Sequence, residues 1–255
     1  MSLIQTLILS LIEGMTEFLP VSSTGHMILA SSVMKIEESE FLKTFLIFIQ
    51  LGAILAIALM YIKRFLKGID IYIKLLIAFI PTAIVGFFAY EFIRGVLFTP
   101  IIVSTSLIVV GIVLIIIDKK VENNKSSVDD LENIPLKNAF CIGLMQCLSM
   151  IPGTSRAAAT IIGGTLNKLD KKQATEFSFL LAIPTMFAAT GYDLMKTPIE
   201  FSQEELTLLL IGLLVSFVTA WLAVKLFLKI IERFGLIHFG YYRIVVGVVY
   251  LLVMG

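Results

Sequence analysis

Residues 3–34 read LIQTLILSLIEGMTEFLPVSSTGHMILASSVM, an apolar stretch interrupted at its centre by Leu19-Pro20-Val21-Ser22-Ser23-Thr24-Gly25. It is long enough to enter a bilayer and return. A second stretch, Asn138 to Asn167, is built alike and is interrupted at Ile151-Pro152-Gly153-Thr154-Ser155-Arg156. Irregular backbone at membrane depth persists only where protein or a watery cavity satisfies its polar groups. Both stretches therefore read as re-entrant helix–loop–helix hairpins, with a kinked ordinary span as the plainer alternative.

The rest of the chain supplies the membrane around them. It is 58% hydrophobic and 15% charged, against roughly a quarter charged in soluble domains. Six stretches are apolar enough to span: Thr44 to Ile62, Leu75 to Tyr90 (extending toward Ile71 and Ile93), Gly95 to Ile117, Phe177 to Tyr192, Leu206 to Val224 and Phe234 to Gly255. The last holds His238 and Arg243 near one end, where an arginine snorkels to the surface. The fold class expected is an all-α polytopic membrane protein, with six transmembrane helices plus two re-entrant hairpins in one integral membrane domain, 1–255. A net charge of +1 argues against a nucleic-acid partner held by bulk charge. Cys141 and Cys147 have no matching His or Cys pair and read as buried thiols, not zinc ligands. The N-terminus has no basic region, and Glu13 interrupts its apolar run, so it does not read as a cleavable signal.

Loops 63–74, 118–137, 168–173 and 225–234 hold 14 of the 20 Lys and Arg, which assigns them to the cytoplasm. The segment 118–137 is the one long polar linker, and it divides the chain into halves of about 1–117 and 138–255. These resemble each other at an offset of 132: Pro20 on Pro152, Ser22 on Thr154, Ser23 on Ser155, Phe45 on Phe177. With the charge-based orientation the second half is inverted, and the two broken tips meet near the midplane. Secondary transporters place their sites at such a repeat interface, so the arrangement alone favours a transporter or lipid flippase.

Ionisable groups inside a membrane are costly and mark function by default. The hairpins hold four: Glu13, Glu17, His26 and Arg156. Glu13 and Glu17, at i and i+4, share a helix face, and two carboxylates beside phosphate oxygens suit a hard divalent cation such as Mg²⁺ or Ca²⁺. A solvated helix end is the bland reading of the pair. Ser22, Ser23 and Thr24, beside Gly25, offer hydroxyls and free amides to anionic oxygens. His26 can serve as acid, base or nucleophile. In the second hairpin, Gly153, Thr154 and Ser155 precede a helix start whose amides and dipole favour phosphate. Arg156 adds a planar fork for bidentate phosphate binding; its alternative is a structural ion pair with Glu13 or Glu17.

The fourteen contiguous residues Glu13-Gly14-Met15-Thr16-Glu17-Phe18-Leu19-Pro20-Val21-Ser22-Ser23-Thr24-Gly25-His26 resemble the first signature of the undecaprenyl-pyrophosphate phosphatase (bacitracin-resistance) family. Pro152-Gly153-Thr154-Ser155-Arg156 resembles the second, and length, span count and linker match across essentially the whole chain. The family usually continues Ser-Gly after the arginine. Here Ala157-Ala158 stand instead, without the serine hydroxyl. The resemblance implies a divalent-cation-dependent hydrolase of the bacterial plasma (inner) membrane, with a site open toward the outer face. It would convert undecaprenyl pyrophosphate, an isoprenoid pyrophosphate lipid, to undecaprenyl phosphate, recycling the lipid carrier for peptidoglycan.

The family's functional positions map onto Glu13, Glu17, Ser23, His26 and Arg156. The expected mechanism has Ser23 attacking the terminal phosphorus and Glu17 taking its proton or holding the metal, with Glu13 supporting the metal. Arg156 and the 153–155 amides bind phosphate oxygens, and His26 protonates a leaving oxygen or activates water. Attack by His26 itself stays open. So does a homodimer, since no helical face singles out an interface.

Overall fold

The computed structural model describes residues 1–66, 68–96, 100–121, 126, 128–196 and 201–254. Part of the expected polar linker (122–125 and 127) and of the loop after residue 196 lies outside them. Among the described residues every regular element is helical: α1 Leu3–Thr16, α2 Ser23–Val33, α3 Glu40–Met60, α4 Ile62–Phe65, α5 Asp70–Val96, α6 Pro100–Lys120, α7 Leu136–Gln146, α8 Arg156–Leu166, α9 Lys171–Lys196, α10 Gln203–Phe234 and α11 Ile237–Met254. Five of these, α3, α5, α6, α9 and α10, are long and apolar enough to cross a membrane. The sixth expected span is α11, a shorter apolar helix that carries His238 and Arg243 near its start. The two interrupted stretches are the pairs α1/α2 and α7/α8.

Helix starts explain the breaks. Where α1, α3 and α10 begin, Ser2, Ser39 and Ser202 accept a backbone N–H in their side chains, satisfying an orphan donor of the first turn. At the hairpin tips the residue before each helix has a left-handed φ: Ser22 at 72° before α2 and Ser155 at 73° before α8. Such φ values are unusual for a non-glycine residue and persist only where surrounding structure imposes them.

Backbone geometry spaces the tips one residue further apart than the 132-residue alignment. Ser22 and Ser155 lie 133 residues apart, not 132, and so do Lys35 and Lys168, each at positive φ after its hairpin. The first residues of α1 and α7, of α2 and α8, and of α5 and α10 keep the same spacing. Pro20 thus corresponds to Gly153, Ser22 to Ser155 and Ser23 to Arg156. The 132 offset followed side-chain identities (Pro20 on Pro152, Ser23 on Ser155, Phe45 on Phe177), whereas the helix start follows the residue of positive φ, which need not be the same type in both halves.

Small residues let the helices approach closely enough to hold the hairpins. A Cβ on Gly14 of α1 would stand 2.6 Å from the Ser216 carbonyl of α10. Ser216 Oγ in turn donates to the Ile49 carbonyl of α3 at 2.7 Å. α8 lies buried along most of its length, with Ala157, Ala158 and Ala159 almost fully enclosed. The main apolar core gathers beneath the tips: Phe18 meets Phe179 edge-on at 5.5 Å between ring centroids, and Phe179 packs on Phe227. Residues 128–133 of the linker, expected to carry charges without consequence, are tied down. Arg64 donates to Asp130 at 2.6 Å and to Glu132 at 3.0 Å, and lies 3.5 Å from Glu176.

Candidate active site

The two hairpins meet. Ser23 Oγ donates to Glu17 Oε2 at 2.5 Å, and Arg156 Nη2 donates to the other oxygen, Oε1, at 3.1 Å. One carboxylate thus joins a hydroxyl of its own hairpin to a guanidinium 139 residues away. All three groups are largely sheltered: Ser23 is 6% and Glu17 9% exposed. Phe18 presents its ring to the Arg156 guanidinium at 5.3 Å, which connects the apolar core directly to the charge. Arg156 Nη1 donates to the Ser178 carbonyl of α9 at 3.0 Å, and Ser178 Oγ shares a 2.6 Å hydrogen bond with Thr160. The arginine is therefore aimed by α9 as well as by its ion pair. Sequence reasoning gave no role to Ser178, a carbonyl contact that no side-chain pattern announces.

Glu13 lies one turn before Glu17, which donates its N–H to the Glu13 carbonyl at 2.9 Å. The Glu13 side chain is fully buried, and neither carboxyl oxygen has a hydrogen-bond partner. Its counterpart in the second half, 133 residues on, is Gln146, equally buried but satisfied by Thr82 at 2.8 Å and Thr185 at 3.2 Å. One half carries a neutral, fully bonded amide where the other carries an orphaned acid. A buried acid without hydrogen bonds is expensive, so the two halves differ in cost at this position. Arg156 Nε is likewise buried without a partner.

The backbone of the tips has spare donors. The amides of Ser23, Thr24 and Gly25 open α2 with no acceptor among the described residues, because Ser22 makes no side-chain cap. At α8, Ser155 Oγ caps the Ala158 amide at 3.2 Å and approaches the Leu19 carbonyl at 3.5 Å, leaving the Arg156 and Ala157 amides open. Thr154 is buried beside them, and its N–H closes the turn onto Ile151. Gly153 has φ +88°, and a Cβ there would meet the Val103 carbonyl at 2.3 Å.

His26 faces elsewhere. Its Nδ1 lies 2.8 Å from the Ser22 carbonyl and its Nε2 2.7 Å from the Tyr242 hydroxyl of α11, with the two rings stacked at 5.6 Å. A carbonyl only accepts, so Nδ1 carries the proton and Nε2 accepts from tyrosine in the neutral ring. No hydrogen bond joins His26 to Ser23, Glu17 or Arg156 among the described residues. Tyr242 was not singled out from sequence, since a tyrosine in a terminal apolar span is ordinary.

Arg243 departs from expectation altogether. It does not snorkel: it is 0% exposed and reaches four backbone carbonyls. Its position among three packed elements keeps it from the surface.

Fold and site together define a helical membrane protein whose two broken hairpins bring acids, a hydroxyl and an arginine together. Comparison with known proteins narrows this. The family described as Bacitracin resistance protein BacA matches residues 6–249, and the chain belongs to it. Among the relatives are the undecaprenyl-diphosphatases of Persephonella marina, 50% identical over 99% of both chains, of Wolinella succinogenes, 47% over 98% of both, and of Aquifex aeolicus, 47% over 96% of both. Family and helices together place it as a multi-pass protein of the bacterial inner membrane.

Proposed function

We propose that this chain hydrolyses undecaprenyl pyrophosphate to undecaprenyl phosphate and inorganic phosphate, as the names of its relatives say of them. The single observation that carries the mechanism is the line Ser23–Glu17–Arg156. Ser23 attacks the terminal phosphorus, and the bond from that phosphorus to the bridging oxygen breaks. The Ser23 proton passes to Glu17, already its hydrogen-bond acceptor. Arg156, with the open amides of α2 and α8, takes the equatorial oxygens, in keeping with the positioning and charge neutralisation that phosphoryl transfer demands. Ser22, Thr24, Gly153, Thr154 and Ser155 form the walls of this anion seat. Water then releases phosphate from Ser23. His26, its Nε2 lone pair turned to Tyr242, would act as a base that takes a proton from that water. Attack by His26 itself is the rival, and it finds less support in the geometry, where the histidine is bonded away from the carboxylates.

Glu13 and Glu17 would hold the divalent cation. Mg²⁺ is commonly bound through one or two carboxylates plus substrate phosphates, and two orphaned Glu13 oxygens suit that donor set. The cation would supply charge neutralisation for the pyrophosphate. The two halves, about 1–117 and 138–255, would lie inverted in the membrane, in keeping with the basic-loop asymmetry and the 133-residue register. The same register keeps lipid transport as a second reading.

Phosphate release from a C15 to C55 prenyl pyrophosphate series, with and without chelator, tests the reaction. Reconstituted vesicles separate hydrolysis from lipid crossing. No phosphate from any member, with Mg²⁺ or Ca²⁺ present, would overturn the reading.

A further inference from the structure

Arg243 is one of the largest fully buried side chains among the described residues, and no carboxylate among them pairs with it. Its guanidinium is spent on main chain instead. Nη1 donates to the Pro20 carbonyl at 2.9 Å and Nη2 to the Gly153 carbonyl at 2.6 Å, while Nε and Nη2 also approach the Leu107 and Ser106 carbonyls of α6 at 3.4 Å. Pro20 belongs to the first broken tip and Gly153 to the second. These are the equivalent positions of the repeat, and each stands three residues before a reactive side chain, Ser23 and Arg156.

We propose that Arg243 is a positioning residue that sets the gap between the two hairpins, and hence the distance from Ser23 and Glu17 to Arg156. Three observations carry this beyond general packing. The planar fork presents five donors in fixed directions, so it can fix the separation of two carbonyls in a way a flexible ammonium cannot. The fork is held by its own helix pair: a Cβ on Gly111 of α6 would stand 2.8 Å from the Gly240 carbonyl and 3.2 Å from Arg243 Cβ, so α11 lies as near as backbone allows. And Gly153 of the second tip sits against Val103 of α6, the helix on which α11 packs. An unpaired charge at this depth is costly; here it is offset by carbonyls that belong to the two segments whose spacing the reaction needs.

The inference rests on the hydrolase reading, and a double-variant cycle separates the two. Turnover of undecaprenyl pyrophosphate by purified wild type, Arg243→Lys, Arg156→Lys and the double variant is measured in detergent with Mg²⁺. Lysine at 243 keeps the charge but not the fork. Misplacement of reacting groups by about 1 Å costs on the order of 10²-fold, so Arg243→Lys should lose at least about 30-fold in kcat, with KM within about threefold. Once Arg156 no longer forms its own fork, the spacing matters less. In that background the second substitution should cost less than about threefold. Full multiplication of the two losses would show that Arg243 does not act through the gap and would overturn the proposal, as would near-normal kcat in Arg243→Lys. If Arg243→Lys does not elute as a monodisperse protein, Arg243→Gln replaces it in the cycle. Failure of both to fold also overturns the proposal, assigning the arginine to the fold as a whole. An inactive wild type sinks the hydrolase reading itself, and this inference with it.

Discussion

Ser23 Oγ and Glu17 Oε2 stand 2.5 Å apart, a hydroxyl donating to a carboxylate across the break in the first hairpin. A hydroxyl six residues from its acceptor reaches it only because the chain breaks between them, at Leu19 to Ser22. An unbroken helix would have turned residue 23 away from residue 17.

Loss of the hydroxyl should therefore remove the covalent step. Ser23→Ala is expected to lose at least about 10²-fold in kcat, the lower range for removal of a group taking part in proton transfer. Rapid quench with labelled substrate should trap an acid-stable phosphoserine in the wild type. An acid-labile phosphohistidine on His26 would overturn the serine mechanism.

Arg156 spans the hairpins, and its loss has two effects. Arg156→Ala should lower kcat by roughly 10³-fold or more, the scale of a transition-state arginine. It also strands Glu17 without its ion-pair partner at 3.1 Å, so thermal stability should fall. Turnover near the wild-type rate would remove the clamp from the mechanism.

Glu13 should show the opposite coupling. Glu13→Gln keeps the shape and removes a buried carboxyl whose oxygens have no hydrogen-bond partner. Stability without metal should not fall, since ionising that carboxyl at this depth costs more than burying an amide. The Mg²⁺ concentration for half-maximal activity should rise by about tenfold or more. Unchanged metal dependence would show that Glu13 holds no cation.

Tyr242→Phe removes the hydroxyl that donates to His26 Nε2 while leaving the stacked ring. One hydrogen bond of this kind contributes about 0.5–1.5 kcal/mol, so kcat should fall by up to about tenfold. A His26→Ala/Tyr242→Phe pair should be no slower than His26→Ala alone. A further independent loss in the pair would detach Tyr242 from the histidine.

Acid should loosen the linker first. Arg64, donating to Asp130, holds that carboxyl down to about 2. A depressed acid contributes stability that is complete above its ordinary value near 4 and is lost as pH falls through the folded value. The stability difference between wild type and Asp130→Asn should therefore be constant above about pH 5 and vanish toward pH 2. It should also be small, because the Asp130 side chain is 42% exposed and screened by solvent. Thermal unfolding of both proteins across that range checks it.

Much of this was legible from residues alone. Continuous apolar runs define spans because lipid demands them, and Pro, Gly and hydroxyl residues at residues 19–25 and 151–156 break a helix whatever surrounds it. The acids, the serine and Arg156 stood out because charge inside a membrane is rare. What sequence could not give was facing and register. Whether Arg243 reaches the surface or the interior depends on which helices close over it, and α6 with the two tips does so. The offset of 133 appears in backbone handedness at Ser22 and Ser155 and in the helix starts, not in side-chain identities. Tyr242 on His26, the Ser178 carbonyl on Arg156, and the contrast of an orphaned Glu13 with a satisfied Gln146 are each decided by segments far apart in the chain. Local chemistry is written residue by residue, but a partner is chosen by packing, and packing is a property of the whole bundle.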